Sequence, residues 1–203
     1  MTELQKEILH VARTYLEHAD ELIYSYAGRT FFSGYALYDM DYANRGNIDC
    51  STYMHLVMQG IPYEKSPYGT GWVESALEPQ TAWAQTDFLE ELRKNGYKRR
   101  ACGIAKHYFD LGLTFEDRRM IEPGDLVFYQ APEEVLIYYE QHGCFMGISH
   151  IGMVSEDTEY ILHSTGYPDK ADSEAEGLKA IQYTHILDGR TPILFARPRW
   201  EDR

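Results

Sequence analysis

The chain has 203 residues, of which 44% are hydrophobic and 25% charged, and its formal net charge is −13. This composition is typical of a globular protein, and the length favours a single domain over residues 1–203. A strongly acidic surface repels nucleic-acid phosphates and anionic lipid head groups, so the charge argues against nucleic-acid and membrane partners.

The sequence also bears on the cellular compartment. No apolar run is long enough to span a membrane, and residues 1–8 lack the apolar core of a signal peptide. This favours a cytoplasmic location, with a secreted protein whose leader was removed as the alternative. The three cysteines, Cys50, Cys102 and Cys144, are an odd and sparse set that fits reduced thiols better than a disulfide framework.

The first part of the chain predicts two helices separated by a loop. Apolar residues repeat at helical spacing along residues 3–19, with Thr2 as the N-cap. The stretch from Ala27 to Asn47 is rich in Gly, Tyr and Asp and predicts the loop. A second helix is predicted from Cys50, ending at Gly60, and its apolar circumference predicts that it is buried.

Residues 61–123 predict a helical insertion, with one helix opening at Pro79 and Thr81 and a shorter one at Ile104–Leu111. Five strands are predicted after it, at Leu126–Tyr129, Ile148–Val154, Tyr160–His163, Ile181–His185 and Ile193–Ala196. Helices followed by strands predict an α+β domain with helices packed on a small antiparallel sheet or barrel.

Cys50 is the first candidate for chemistry. It falls in the first turn of the second predicted helix, with Asn47 or Asp49 as the cap. Unpaired backbone N–H groups and the helix dipole lower the pKa of a thiol there, and the same N–H groups can hold an oxyanion. The position favours a nucleophile, and the alternative is a small buried side chain.

A nucleophilic thiol needs a base, and the base needs an orienting partner. Residues 155–158 form a polar four-residue turn between two predicted strands. If Val154 pairs with Glu159 across this turn, His150 and His163 lie directly opposite on one face of the hairpin. The pattern predicts two imidazoles in contact, with His163 touching only His150. The alternative is two histidines that share a sheet surface and no function.

Four segments occur in a suggestive order, namely Asp49-Cys50-Ser51, Gly124–Tyr129, Ser149–Val154 and Ile161–Ser164. Together they resemble the NlpC/P60 cysteine peptidases, whose minimal papain-like fold packs a cysteine-bearing helix on a small barrel that carries histidines. The resemblance implies that Cys50 attacks, that His150 shuttles the proton and that His163 orients His150.

The resemblance also implies a substrate and its binding residues. The substrate would be a peptidoglycan-derived peptide, cleaved between γ-linked D-glutamate and a diamino acid. Asp49 and Ser51, which flank the cysteine, would line the substrate site. A tyrosine ahead of the cysteine would contribute, and Tyr24, Tyr26 and Tyr35 are all candidates.

The chain also departs from the family. Thr52 stands where the family has a glycine, and the connection formed by residues 61–123 is longer than usual. These residues are therefore predicted to form a lid or specificity element, with Trp72 or Trp83 lining the groove.

Other functions stay open. The same Cys-His-His set would suit an amidase or acyltransferase acting on a non-peptidoglycan amide or lipid, and a cleft without chemistry would make a peptide-binding module. A metal site is disfavoured because the spacing from Cys144 to His150 does not match that of structural zinc ligands; its residues would be His142, Cys144, His150 and His163. No cofactor is indicated, and the oligomeric state is undetermined.

Overall fold

The computed structural model describes residues 1–24, 47–66, 68–69, 100–166 and 179–199. These residues form a mixed α+β fold. The helices within them are α1 (Glu3–Glu17), α2 (Cys50–Met58), α3 (Ala101–Asp110) and α4 (Glu133–Gln141). The strands are β1 (Ile23–Tyr24), β2 (Asn47–Ile48), β3 (Thr114–Phe115), β4 (Leu126–Gln130), β5 (Ile148–Val154), β6 (Tyr160–Ser164), β7 (Ile181–His185) and β8 (Pro192–Ala196).

Six of the strands form one antiparallel sheet in the order β3-β8-β4-β5-β6-β7. Within the described residues this sheet is open and does not close into a barrel. The short strands β1 and β2 pair in parallel, separately from the sheet. The predicted α+β class with an antiparallel sheet is confirmed, and the sheet takes the open form.

The helix ends follow the predicted capping residues. Thr2 and Gln5 form a capping box at the start of α1, where Thr2 Oγ1 accepts the Gln5 N–H at 3.1 Å and Gln5 Oε1 accepts the Thr2 N–H at 2.7 Å. Beyond α2, Gly60 has φ +68° and Ile61 donates back to the Leu56 carbonyl at 3.1 Å. This left-handed conformation favours glycine, which explains why the helix ends there.

The sheet separates two apolar layers. One face packs against α1, α2 and α3, and it carries Phe128, Ile151, Met153 and Leu162. The opposite face carries a smaller cluster formed by Val127, Tyr129, Val154, Ile161, Ile186 and Phe195. Because side chains alternate along a strand, neighbouring residues of β4 and β5 belong to different layers.

All five predicted strands and the helices at residues 3–19 and from Cys50 are confirmed to within two residues. The helix predicted at Ile104–Leu111 begins three residues earlier, at Ala101. Helix α4 is not predicted by the sequence analysis, because Val135–Ile137 are three consecutive apolar residues rather than a helical repeat. None of its residues is buried.

The predicted insertion, residues 61–123, is described only in part. Its last third is integrated into the fold, since Ile104 and Ala105 of α3 are fully buried in the core and β3 pairs with β8. The helix predicted from Pro79, together with Trp72 and Trp83, lies outside the described residues, as does most of the predicted loop that ends at Asn47. Among the helices that the structure describes, none is long and apolar enough to cross a membrane.

An ion pair between a buried carboxylate and a half-buried arginine joins the turn before β4 to the end of β8. Arg197 donates from Nε to Asp125 Oδ1 at 3.0 Å and from Nη2 to Oδ2 at 2.9 Å, and Asp125 is buried. Asp125 Oδ2 also accepts the Glu122 N–H at 2.8 Å. The carboxylate therefore fixes the turn and the neighbouring strand end together.

We expect Asp125→Ala to lower the free energy of unfolding by roughly 1–3 kcal/mol, because it leaves the Glu122 N–H without its acceptor and removes one of the two carboxylates that bond Arg197, the other being Glu122. Urea unfolding measures this value. Asp117→Ala is the matched control, since it removes a half-exposed carboxylate that also bonds an arginine side chain and a backbone N–H, both of Arg119. The control should lower the free energy of unfolding by less than about 1 kcal/mol, and an equal loss in both variants would contradict the structural role of Asp125.

Candidate active site

The hairpin formed by β5 and β6 has a register that differs from the predicted one. Met153 pairs with Leu162 and Val154 pairs with Ile161, so the predicted pairing of Val154 with Glu159 is wrong. The turn is longer than four residues, and it is closed by Ser155, whose N–H donates to the Tyr160 carbonyl at 2.9 Å. The two histidines are consequently diagonal neighbours rather than directly opposed residues.

The imidazoles of His150 and His163 are nevertheless in contact. His150 Nε2 lies 2.8 Å from His163 Nδ1, and the rings meet edge to face with centroids 5.0 Å apart. The contact survives because a shift of two residues keeps both side chains on the same face of the sheet. Gly152 makes room for it, since a Cβ at that position would lie 3.1 Å from His163 Cβ.

A third side chain extends the pair. His163 Nε2 lies 3.0 Å from the hydroxyl oxygen of Thr184 on β7, so the prediction that His163 touches only His150 is wrong. A neutral His163 that donates from Nε2 to Thr184 presents an unprotonated Nδ1 to His150. His150 then donates from Nε2, and its Nδ1 is the ring nitrogen able to accept a proton.

Electrostatics keep both rings neutral. Burial lowers the pKa of His150 well below its ordinary value, and the positive charge of Arg190 and the neighbouring His163 lower it further. Burial and the charge of Arg190 also lower the pKa of His163 to about 3. Near neutral pH the pair is therefore uncharged, which is the state in which an imidazole serves as a base.

His150 lines a groove of about 640 Å³. The walls come from β4, β5, the start of α4 and the loop before β8, and the lining residues are Gln130, Ala131, Pro132, Val135, Tyr139, Ser149, His150, Gly189, Arg190, Thr191 and Ile193. The groove lies within the range of sizes that small-molecule sites occupy. Its lining combines apolar side chains with a few polar groups.

Cys50 lines a second cavity of only about 20 Å³, together with the other two cysteines. Cys50 is in the first turn of α2, and Cys102 is in the first turn of α3. All three cysteines are described, and none of them forms a disulfide. The small cavity is about large enough for one water molecule.

The cavity and the groove adjoin each other at the start of β5. Cys50 belongs to the larger core cluster, whereas His150 pairs with Tyr129 on the neighbouring strand and lines the groove. Ser149 and Tyr139 border both spaces. The strand is bulged there, because β4 pairs with Ile148 and His150 and skips Ser149.

The residues predicted to bind substrate have separate locations. Asp49 and Ser51 line the small cavity, and Asp49 caps α2 through bonds of 2.8 Å from the Thr52 N–H and the Ser51 hydroxyl. Tyr26 and Tyr35 lie outside the described residues, and Tyr24 is buried in β1.

The residues considered as metal ligands do not all lie together in the structure. His142 Nδ1 bonds the Tyr138 carbonyl at 2.7 Å, and Cys144 lines the small cavity rather than the groove of His150. Across the parts of the chain that the structure describes, no three His, Cys, Asp or Glu side chains form a group able to hold a metal ion.

Comparison with known families corrects the predicted relationship. Residues 104–167 match the profile of the cyclophilin-like family. The match covers about a third of the chain, and it contains His150 and His163 but not Cys50. This is a different fold family from NlpC/P60, for which no match is found, so the resemblance to the NlpC/P60 cysteine peptidases is wrong. No curated protein matches the chain.

Sequence reasoning missed Arg190 and Thr184, although both face the histidines. Thr184 lies two residues after Gln182, which pairs with His163, so both side chains are on the same face of β7. The sequence does not show that this strand pairs with β6, and the contact between Thr184 and His163 could therefore not be predicted. Arg190 follows Gly189, whose φ of +62° marks a turn, and an isolated Gly-Arg pair in a loop carries no signal of its own.

The neutral histidines predict a specific loss of stability in acid. Unfolded histidines take up protons below about pH 6.5, whereas the folded pair resists protonation until nearer its lowered pKa values. The contribution of the neutral histidine pair to the free energy of unfolding is therefore fully present above pH 6.5, and it is lost as pH falls toward about 3. When the pH is lowered from about 7.5 to about 5, the free energy of unfolding should fall by roughly 1–2 kcal/mol more for wild type than for His163→Gln. Urea unfolding at the two pH values measures this difference. Equal losses would contradict a buried neutral pair.

Proposed function

We propose that this protein is a thiol-dependent hydrolase that cleaves an acyl bond, an amide or an ester, with Cys50 as nucleophile and His150 as base. The observation that carries the proposal is the chain of contacts from Thr184 through His163 to His150, because it engages His150 Nε2 and leaves Nδ1 as the ring nitrogen outside the pair. The groove lined by His150 adjoins the cysteine cavity at Ser149.

The chemistry needs only groups of this chain and water. The Cys50 thiol passes its proton to His150 Nδ1 as sulfur attacks the acyl carbon, and the resulting imidazolium is stabilised by the hydrogen bond from its Nε2 to His163. Backbone N–H groups at the start of α2 stabilise the oxyanion. The imidazolium then protonates the leaving group, and water, deprotonated by His150, releases the acid and regenerates the thiol.

A neutral resting pair follows from the electrostatics. Burial and the charge of Arg190 lower the pKa of His150, which disfavours a preformed thiolate–imidazolium pair. The proton then moves during attack rather than before it. The position of Cys50 at a helix start, capped by Asp49, lowers the cost of charge on sulfur as that charge develops.

The peptidoglycan substrate rests on the resemblance alone and is not part of this proposal. A second candidate function is a binding module, and one observation favours it. Among the described residues that line the groove of His150, Cys50 is not included, so the groove is a ligand-sized site without the thiol. Turnover separates the two candidates, since a binding module holds an acyl compound without cleaving it.

The hydrolase predicts a distinct pattern among variants assayed with an activated p-nitrophenyl ester. Cys50→Ala should abolish p-nitrophenol release and the covalent acyl adduct detected by mass spectrometry. His150→Ala should lower the rate about 10²–10⁴-fold, whereas His163→Gln should retain a measurable fraction because an amide can still orient the ring.

Cys102→Ala is the matched control, because Cys102 lines the same cavity and also occupies the first turn of a helix. It should keep both turnover and the adduct. Turnover that persists in Cys50→Ala, or an adduct found on Cys102, would refute Cys50 as the nucleophile. An ester that binds in the groove with neither adduct nor turnover would instead support the binding module.

A further inference from the structure

Among the described residues that line the groove, Arg190 is the cationic one. It lies in the loop between β7 and β8, directly after Gly189, and it lines the same space as His150. Its charge reaches the two imidazoles, since it contributes to the lowered pKa of both His150 and His163. The guanidinium therefore lies close to the candidate reaction centre.

The bonding of Arg190 differs from that of other arginines in the protein. Arg13 and Arg197 each bond a carboxylate, Glu156 and Asp125 respectively. Within the part of the chain that the structure describes, Arg190 bonds no carboxylate, and its Nη2 donates to the Thr165 hydroxyl at 3.2 Å. That bond positions the guanidinium and leaves most of its five N–H donors to the groove.

The surroundings suit one kind of ligand. A guanidinium presents paired donors that match the two oxygens of a carboxylate. Beside it the groove offers apolar surface from Val135, Tyr139 and Ile193. With a net charge of −13, the protein as a whole repels acidic molecules, so an acidic ligand needs a local cation of this kind.

We propose that Arg190 recognises a free carboxylate on the ligand of this groove, and that the substrate class is an acyl compound carrying a carboxylate near the bond to be cleaved. The choice of substrate rests on the proposed hydrolase function. The carboxylate site itself does not, since a binding module would use Arg190 in the same way.

Binding is tested first, because it does not depend on catalysis. Protein with ¹⁵N-labelled histidine is titrated with glutarate, and with the neutral diamide glutaramide, at a pH where both rings are uncharged. Glutarate should shift the ring signals of His150 and His163, and Arg190→Gln should weaken its affinity about tenfold or more. Glutaramide should bind more weakly than glutarate to wild type and equally to both proteins.

Arg119→Gln is the control, because it removes the same charge from an exposed arginine that bonds Asp117 outside the groove. It should leave glutarate binding unchanged. Equal binding of glutarate to wild type and Arg190→Gln, or equal binding of glutarate and glutaramide to wild type, would overturn the proposal.

Turnover then tests the substrate class. Wild type should hydrolyse mono-p-nitrophenyl glutarate with a higher kcat/KM than p-nitrophenyl pentanoate. Arg190→Gln should lower the ratio of these two kcat/KM values about tenfold. A preference that survives in Arg190→Gln would overturn the assignment of Arg190. If wild type cleaves neither ester while glutarate binding depends on Arg190, the hydrolase function fails and the carboxylate site stands.

Discussion

The register of β5 against β6 is the constraint on which the candidate site depends. It brings Gly152 beside His163, where an added Cβ would lie 3.1 Å from His163 Cβ and would crowd it. The same register brings His163 within hydrogen-bond distance of His150, and the pairing of β6 with β7 brings it within hydrogen-bond distance of Thr184. A slip of one residue would send one imidazole to the helix-packed face and break the chain.

Periodicity in the sequence predicts most of the elements, because burial selects apolar residues at intervals of two in strands and of three or four in helices. The register was not predictable in the same way. It depends on how many residues the turn after Val154 uses, and here Ser155 bonds Tyr160 to make that turn longer than its polar residues suggested. The contact between His150 and His163 was still predicted, since a shift of two residues preserves the face.

The erroneous family resemblance has a physical explanation in the motifs that suggested it. Asp49 and Ser51 are a capping arrangement for α2, and Asp125 anchors a turn by bonding Arg197. Gly152 is explained by its close approach to His163. Each of these residues has a local structural role, and short motifs with such roles recur in unrelated folds. A catalytic function therefore has to be inferred from the geometry of the site rather than from the motifs.

We propose that Cys50 and His150 act as one reaction centre, although they line two separate spaces that adjoin at Ser149 and Tyr139. The most direct measurement is the rate of iodoacetamide alkylation at Cys50, followed by peptide mass spectrometry near neutral pH. If His150 accepts the thiol proton, His150→Ala should slow alkylation of Cys50 about tenfold or more while leaving Cys102 unaffected. Equal rates at Cys50 with and without His150 would contradict the account.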